Sequence, residues 1–149
     1  MISALEIHGV PIECINQAAI TYHVPATLIL SVLAVENGVN GSALPNRNGT
    51  FDYGPMQINS IWISKIRLFG YTQHQLQYDP CVNVKVGAWI LSQQIANDAA
   101  SPWRGVGSYH SHSSRLNQNY QIKVSEVYRL LANYLSHPSN STLPTLPIA

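Results

Sequence analysis

The 149-residue chain is poor in charge: Asp, Glu, Lys and Arg make up 10% of it, with 8 basic and 7 acidic side chains and a net charge of +1. No Lys/Arg cluster occurs anywhere, which argues against a nucleic-acid partner. The chain also lacks any apolar run of the about 18 residues that a membrane span requires. Low charge with 46% hydrophobic residues is the composition of a chain that folds. Its length suits one domain with a substantial core. Cysteine is scarce too, with Cys14 and Cys81 alone. Neither belongs to a CxxC or a Cys/His zinc spacing, so no structural metal site and no cofactor is expected. The two are either free thiols or one long-range disulfide, which would contribute at most about 4 kcal/mol in the chain-entropy model. The opening MISALEIHGVPI has neither a basic start nor a long apolar stretch. It does not read as a signal peptide, so any export signal was removed or never present. There is no internal repeat. What the chain has in quantity is uncharged polar side chains (Ser, Asn, Gln, Thr, Tyr), the groups that hydrogen-bond sugars and also fill ordinary loops.

The apolar spacing is mostly helical. Residues 13–22 place Ile15, Ala18, Ala19 and Tyr22 on one face. In HVPATLILSVLAVENG, Pro25 suits a first turn and Gly38 the position just past the end. Leu28, Ile29, Val32, Leu33 and Val35 make this helix apolar nearly all round, so it should be the buried central one. Residues 39–58 break the period and read as a long loop with a short hairpin at NRNGTFDYGPMQIN. Asn59 or Ser60 should cap a helix through Trp62, Ile63 and Ile66 that ends at Gly70, and Thr72 with Gln75 resembles a capping box. Further helices are expected over 82–97, over 103–112 after Pro102, and over about 120–135. The architecture predicted is an all-α domain over 13–136 with a minimal β-hairpin, an N-terminal extension over 1–12 and a frayed Pro/Ser-rich tail over 137–149.

Two of the few carboxylates, Glu36 and Asp52, stand sixteen residues apart. Glu36 falls in the last turn of the predicted buried helix, where an acid opposes the helix dipole and gains nothing for helix stability. That is a first sign of a functional carboxylate. Glycosidic cleavage needs a carboxylic acid that stays protonated near neutral pH, and apolar burial raises a Glu pKa by disfavouring the charged form. The bland alternative is a solvated glutamate at a fraying helix end.

The run LAVENGVNGSALPNRNGTFDYGPMQINSIWISKI from Leu33 to Ile66 resembles the bacterial lytic transglycosylases of the lysozyme-like superfamily. It is most similar to the small periplasmic enzymes that serve secretion, conjugation and type IV pilus systems. CINQAAITYHVPATLI, DPCVNVKVGAWIL and GVGSYHS agree, so the resemblance covers about residues 13–135. Each part is weak alone; their order and spacing together are specific. The resemblance implies a mainly α, lysozyme-like fold of the goose-type lysozyme and transglycosylase kind. It implies Glu36 as the single catalytic acid and base, Met56 and Gln57 as the GxMQ element lining a sugar groove, and Tyr109 with its hydroxyl near the glutamate. Tyr53 and Asn59 of the same element join them as substrate-binding candidates. It further implies a Cys14–Cys81 disulfide and, with it, an oxidising periplasmic setting. The chain departs from the family at Asn37, where Ser is common, and at His110, where Asn is usual; both remain hydrogen-bonding candidates for substrate. His110 and His112 have no third ligand at a fitting spacing, so no metal is expected. Of the tryptophans, Trp62 and Trp89 read as core and Trp103 as exposed.

The implied chemistry cleaves the bond between N-acetylmuramic acid and N-acetylglucosamine with closure of a 1,6-anhydro ring. The expected partners are peptidoglycan strands and secretion or pilus assembly proteins, met by a monomer. Asp52 is the open point. DYG before QIN also resembles animal-type lysozymes, whose aspartate serves with a glutamate in hydrolysis, two carboxylates set to different roles by their surroundings. On that reading Asp52 is a second catalytic carboxylate and the protein a hydrolytic muramidase. On the other, Asp52 orders the turn before Gly54. A third possibility is a peptidoglycan-binding module silenced by the changes at Asn37 and His110.

Overall fold

The computed structural model describes residues 6–136. The N-terminal strands β1 (Glu6–Ile7) and β2 (Val10–Pro11) form a small antiparallel hairpin. Part of the expected extension is therefore structured, and Val10 is fully buried in the core. Helix α1 (Ile12–Tyr22) buries Ile15 and Ala18, two of the residues its spacing put on one face. Helix α2 (Ala26–Glu36) follows Pro25 at the N-cap and buries every residue from Ser31 to Val35 together with Leu28 and Ile29. Ser31, a hydroxyl in this apolar helix, donates to the Thr27 carbonyl one turn back, so its burial leaves no donor unpaired.

The predicted long loop contains more structure than one hairpin. Strands β3 (Ala43–Pro45), β4 (Phe51–Tyr53) and β5 (Ile58–Asn59) make a three-stranded antiparallel sheet, with Leu44 opposite Asp52 and Asp52 opposite Asn59. Asn59 caps the following 3-10 turn (Ser60–Trp62) by accepting from the Ile61 amide, and helix α3 (Ile63–Leu68) continues it. Thr72 and Gln75 form the predicted capping box at the start of α4 (Gln73–Tyr78). Asp79 caps α5 (Pro80–Asn97), with Pro80 in the first turn, where a missing N–H costs nothing. Helix α6 spans Pro102–His110 and α7 spans Ser114–Ser136. The last helix thus begins about two turns before the expected start. Its polar opening SRLNQN hides the apolar period, and Asn117 is buried by hydrogen bonding instead. The tail expected over 137–149 lies outside the described residues.

The core is one cluster around α2, into which α1, α5, α6 and α7 contribute Ile15, Leu91, Val106, Val124 and Val127. Burial of each such aliphatic side chain contributes roughly 1.5–3 kcal/mol. Cys14 on α1 and Cys81 on α5 are joined in a disulfide that pins the two helices, with Cα atoms 5.3 Å apart. Among the described residues no helix is long and apolar enough to cross a membrane.

Candidate active site

Glu36 ends α2 because Asn37 takes the left-handed conformation at the C-cap, φ +51°, and its amide returns to the Leu33 carbonyl. Gly38 then runs against the GPMQ turn, donating its amide to the Pro55 carbonyl at 3.1 Å. A Cβ at position 38 would collide with the carbonyls of Gly54 and Pro55, so only glycine permits the approach. The ENG end of the helix and the GPMQIN segment are thereby fastened together.

The turn is anchored from behind by Asn83 on α5. Its buried carboxamide donates to the carbonyls of Tyr53 and Leu76, both at 2.9 Å, and accepts from the Met56 amide at 2.8 Å. Met56 is itself fully buried, and Tyr53 is 3% exposed. Both were expected to meet substrate; their side chains instead seat the turn in the core. The Met56 carbonyl accepts from the Tyr109 hydroxyl at 2.8 Å. Gln57 has φ +52° and donates its side-chain amide to the Gly54 carbonyl, which fixes the carboxamide at the groove wall.

A cleft of about 670 Å³ crosses this region, lined by Glu36, Asp52, Gln57, Trp62, Tyr109 and His110 among others. Asn46, Asn48, Thr50, Asn59, Gln94 and Ser108 supply further uncharged polar groups along it. A second cleft of about 510 Å³, lined by Glu36, His110, Tyr120, Ile122 and Lys123, lies against α7. Glu36 and His110 border both, so the carboxylate stands where the two clefts meet. Asn37, expected to touch substrate, is exposed and lines neither cleft. Trp62, expected in the core, is half-buried in the groove wall and packs edge-on against Trp89 at 5.7 Å. Trp103 is exposed as expected, but it lies away from the groove, edge-on to Tyr128. Among the described residues no group of three or more His, Cys, Asp or Glu side chains is placed to hold a metal ion, His110 and His112 included.

Electrostatically, Glu36 is unlike an ordinary surface glutamate. Burial pushes its pKa up from 4.5 to about 7; the Asp52 charge adds to the rise, while the Tyr120 hydrogen bond and Lys123 oppose it. The Tyr120 hydroxyl donates to Glu36 Oε1 at 2.9 Å. Sequence reasoning missed Tyr120 and put Tyr109 in this place. The two rings stack at 6.3 Å, so Tyr109 is the neighbour and Tyr120 the direct partner. Tyr120 shares an apolar face with Val124 and Val127, which could have marked it as buried, but nothing in the spacing pairs it with Glu36. Both hydroxyls are held protonated, their pKa values raised well above 10 first by burial and then by the Glu36 charge. His110 stacks on Tyr120 at 5.1 Å, and burial followed by Lys123 lowers its pKa, which keeps the imidazole neutral near pH 7. Asp52 accepts from the Asn59 carboxamide at 3.0 Å across β4 and β5. Its position in the sheet is thus set by strand pairing, and its carboxylate faces the same groove as Glu36.

A raised glutamate at the end of a buried helix, facing a polar groove beside a small sheet, is the arrangement of a lysozyme-like domain. Residues 13–130 match the transglycosylase SLT domain, and the chain belongs to that family. It is 32% identical over 136 residues to "Invasion protein IagB" of Salmonella typhimurium, covering 88% of this chain and 84% of that protein. It is also 32% identical over 119 residues to "Protein IpgF" of Shigella flexneri, covering 78% of each. A more distant relative, at 24% over 135 residues, is "Peptidoglycan-binding-like protein" of Escherichia coli O157:H7, with 85% of this chain and 80% of that protein covered. The mainly α, lysozyme-like fold expected from the sequence is the fold of this family.

Proposed function

We propose that this protein is a periplasmic lytic transglycosylase that cleaves the β-1,4 bond between N-acetylmuramic acid and N-acetylglucosamine in peptidoglycan. The observation that carries this is Glu36, raised to about 7 at the junction of two clefts, with one carboxylate oxygen held by Tyr120. At that pKa a large fraction of Glu36 is protonated at neutral pH and can deliver its proton to the leaving 4-oxygen. The oxocarbenium-like centre that develops at C1 is stabilised by the sugar's own N-acetyl group. Glu36, now ionised, takes the proton of the 6-hydroxyl as that oxygen bonds to C1. The 4-oxygen leaves protonated, the anhydro ring closes, and the glutamic acid is regenerated. One carboxyl serves both transfers, because the nucleophile belongs to the substrate and is held at high effective concentration.

Asp52 enters as a charge that keeps Glu36 protonated, rather than as a nucleophile. Its hydrogen bond from Asn59 holds it in the sheet. The wall cut would serve a secretion or pilus machine, a reading favoured by the resemblance to a protein named for invasion. Clearing of purified cell wall tests the activity. The wild-type protein is expected to clear it and Glu36→Gln to leave it turbid while keeping the same circular dichroism spectrum; clearing by both would refute the assignment.

A further inference from the structure

A separate polar cavity of about 430 Å³ lies between α6 and α7, lined by Asp98, Arg104, Ser108, His112, Asn117 and Gln121 among others. Ser108 and His112 also line the groove, so the two spaces share a wall. Every lining side chain is polar, which disfavours an apolar occupant. The frame is rigid. Asn117 is buried and donates to the carbonyls of Arg104 and Ser111 and to the Ser108 hydroxyl, while its own oxygen accepts from Gln121 at 2.7 Å. Gly107 is what admits it, since a Cβ there would strike the Asn117 carboxamide. The Arg104 side chain is 70% exposed and pairs through Nε with Asp98 at 3.4 Å. A guanidinium engaged at Nε retains terminal N–H groups that suit a second carboxylate.

The glycan assigned to the groove is branched. Each muramic acid carries, through a lactyl ether, a peptide of amides and free carboxylates. A groove that binds the ring must leave this branch a way out. A polar cavity sharing two side chains with the groove, and furnished with guanidinium, imidazole, carboxamide and hydroxyl groups, matches that branch in chemistry and place. Resting on the glycan-cleaving reading, we propose that the α6–α7 cavity is a subsite for the acidic stem peptide, with Arg104 as its carboxylate contact.

Arg104→Gln is the informative variant. The α6–α7 frame uses the Arg104 carbonyl rather than its side chain, and the surface pair with Asp98 carries little stability. Kinetics are compared on peptide-bearing glycan strands and on the same strands stripped of peptide by an amidase. The wild-type protein should show the lower KM on peptide-bearing strands. Arg104→Gln should raise that KM about tenfold, the scale of one lost charge-assisted hydrogen bond, with kcat unchanged and stripped strands unaffected. Arg129→Gln, an exposed cation of α7 that lines neither cavity, should leave the ratio alone. Equal KM values on both strands for the wild-type protein would overturn the subsite, as would equal effects of Arg104→Gln on both or of Arg129→Gln. If neither strand is cleaved, the catalytic assignment fails, and the subsite is then judged by titrating both strands against the wild-type and Arg104→Gln proteins. A peptide-dependent gain in affinity that Arg104→Gln removes supports it; equal affinities overturn it.

Discussion

Glu36 holds two opposed roles. As a group whose folded pKa lies above its unfolded value, it binds more protons in the native state between pH 4.5 and about 7. Stability therefore falls as pH rises through that window, by about 3 kcal/mol for a shift of this size. Glu36→Gln, which removes the ionisation, should melt at a higher temperature than the wild-type protein at pH 8 and close to it at pH 4, as read by thermal denaturation at the two values. The neighbours tune the same quantity in opposite senses. The Tyr120 hydrogen bond favours the ionised form, so Tyr120→Phe raises the pKa and moves the alkaline limb of the pH–activity profile upward. The Asp52 charge favours the neutral form, so Asp52→Asn moves that limb downward and lowers activity at pH 7 without abolishing it. Identical limbs in all three proteins would separate Glu36 from the profile. Of this trio, Glu36 was legible because an acid at the end of an apolar helix is locally unfavourable and stands out. Asp52 was visible with its role left open between a second catalytic carboxylate and an orderer of the turn before Gly54, and Tyr120, 84 residues from Glu36, is brought to it only by the packing of α7 on α2.

At the level of elements, the sequence marks helices well where their apolar period is undiluted. Helix α2 is such a case, and Thr72 with Gln75 gave α4 its start through local chemistry alone. The sheet was harder to read, since β3 and β5 are too short for an alternating pattern to declare itself. The start of α7 was lost for another reason: its first buried residue is Asn117, which periodicity counts as polar. Asn83 belongs to the same kind. In sequence it interrupts an apolar helix; in the fold it satisfies three backbone groups and holds the GPMQIN turn against α5. Asn83→Ala leaves buried carbonyls and an amide unpaired and should cost about 3 kcal/mol, measured by urea denaturation. Activity should fall with it even where the protein remains folded, because Gln57 and the Met56 carbonyl lose their support. Full activity in the folded variant would show that the turn needs no anchor.

For the molecule as a whole, the disulfide and the site are separate devices. Cys14–Cys81 joins α1 to α5, and neither cysteine lines the groove. Cys14→Ser with Cys81→Ser should lose up to about 4 kcal/mol of stability while the folded fraction keeps its turnover number, checked by denaturation and by active-site-normalised rates. The fold thus sets Glu36, the carboxylate with the raised pKa, where two clefts meet, with Asp52 on the same groove, and the proposal is that Glu36 cleaves the glycan without water. Mass spectrometry of cell wall digested by the purified protein tests that claim most directly. The wild-type protein should release muropeptides ending in 1,6-anhydro-N-acetylmuramic acid, one water lighter than hydrolysed products, and Glu36→Gln should release none. Products bearing the extra water would contradict it and make the protein a hydrolytic muramidase.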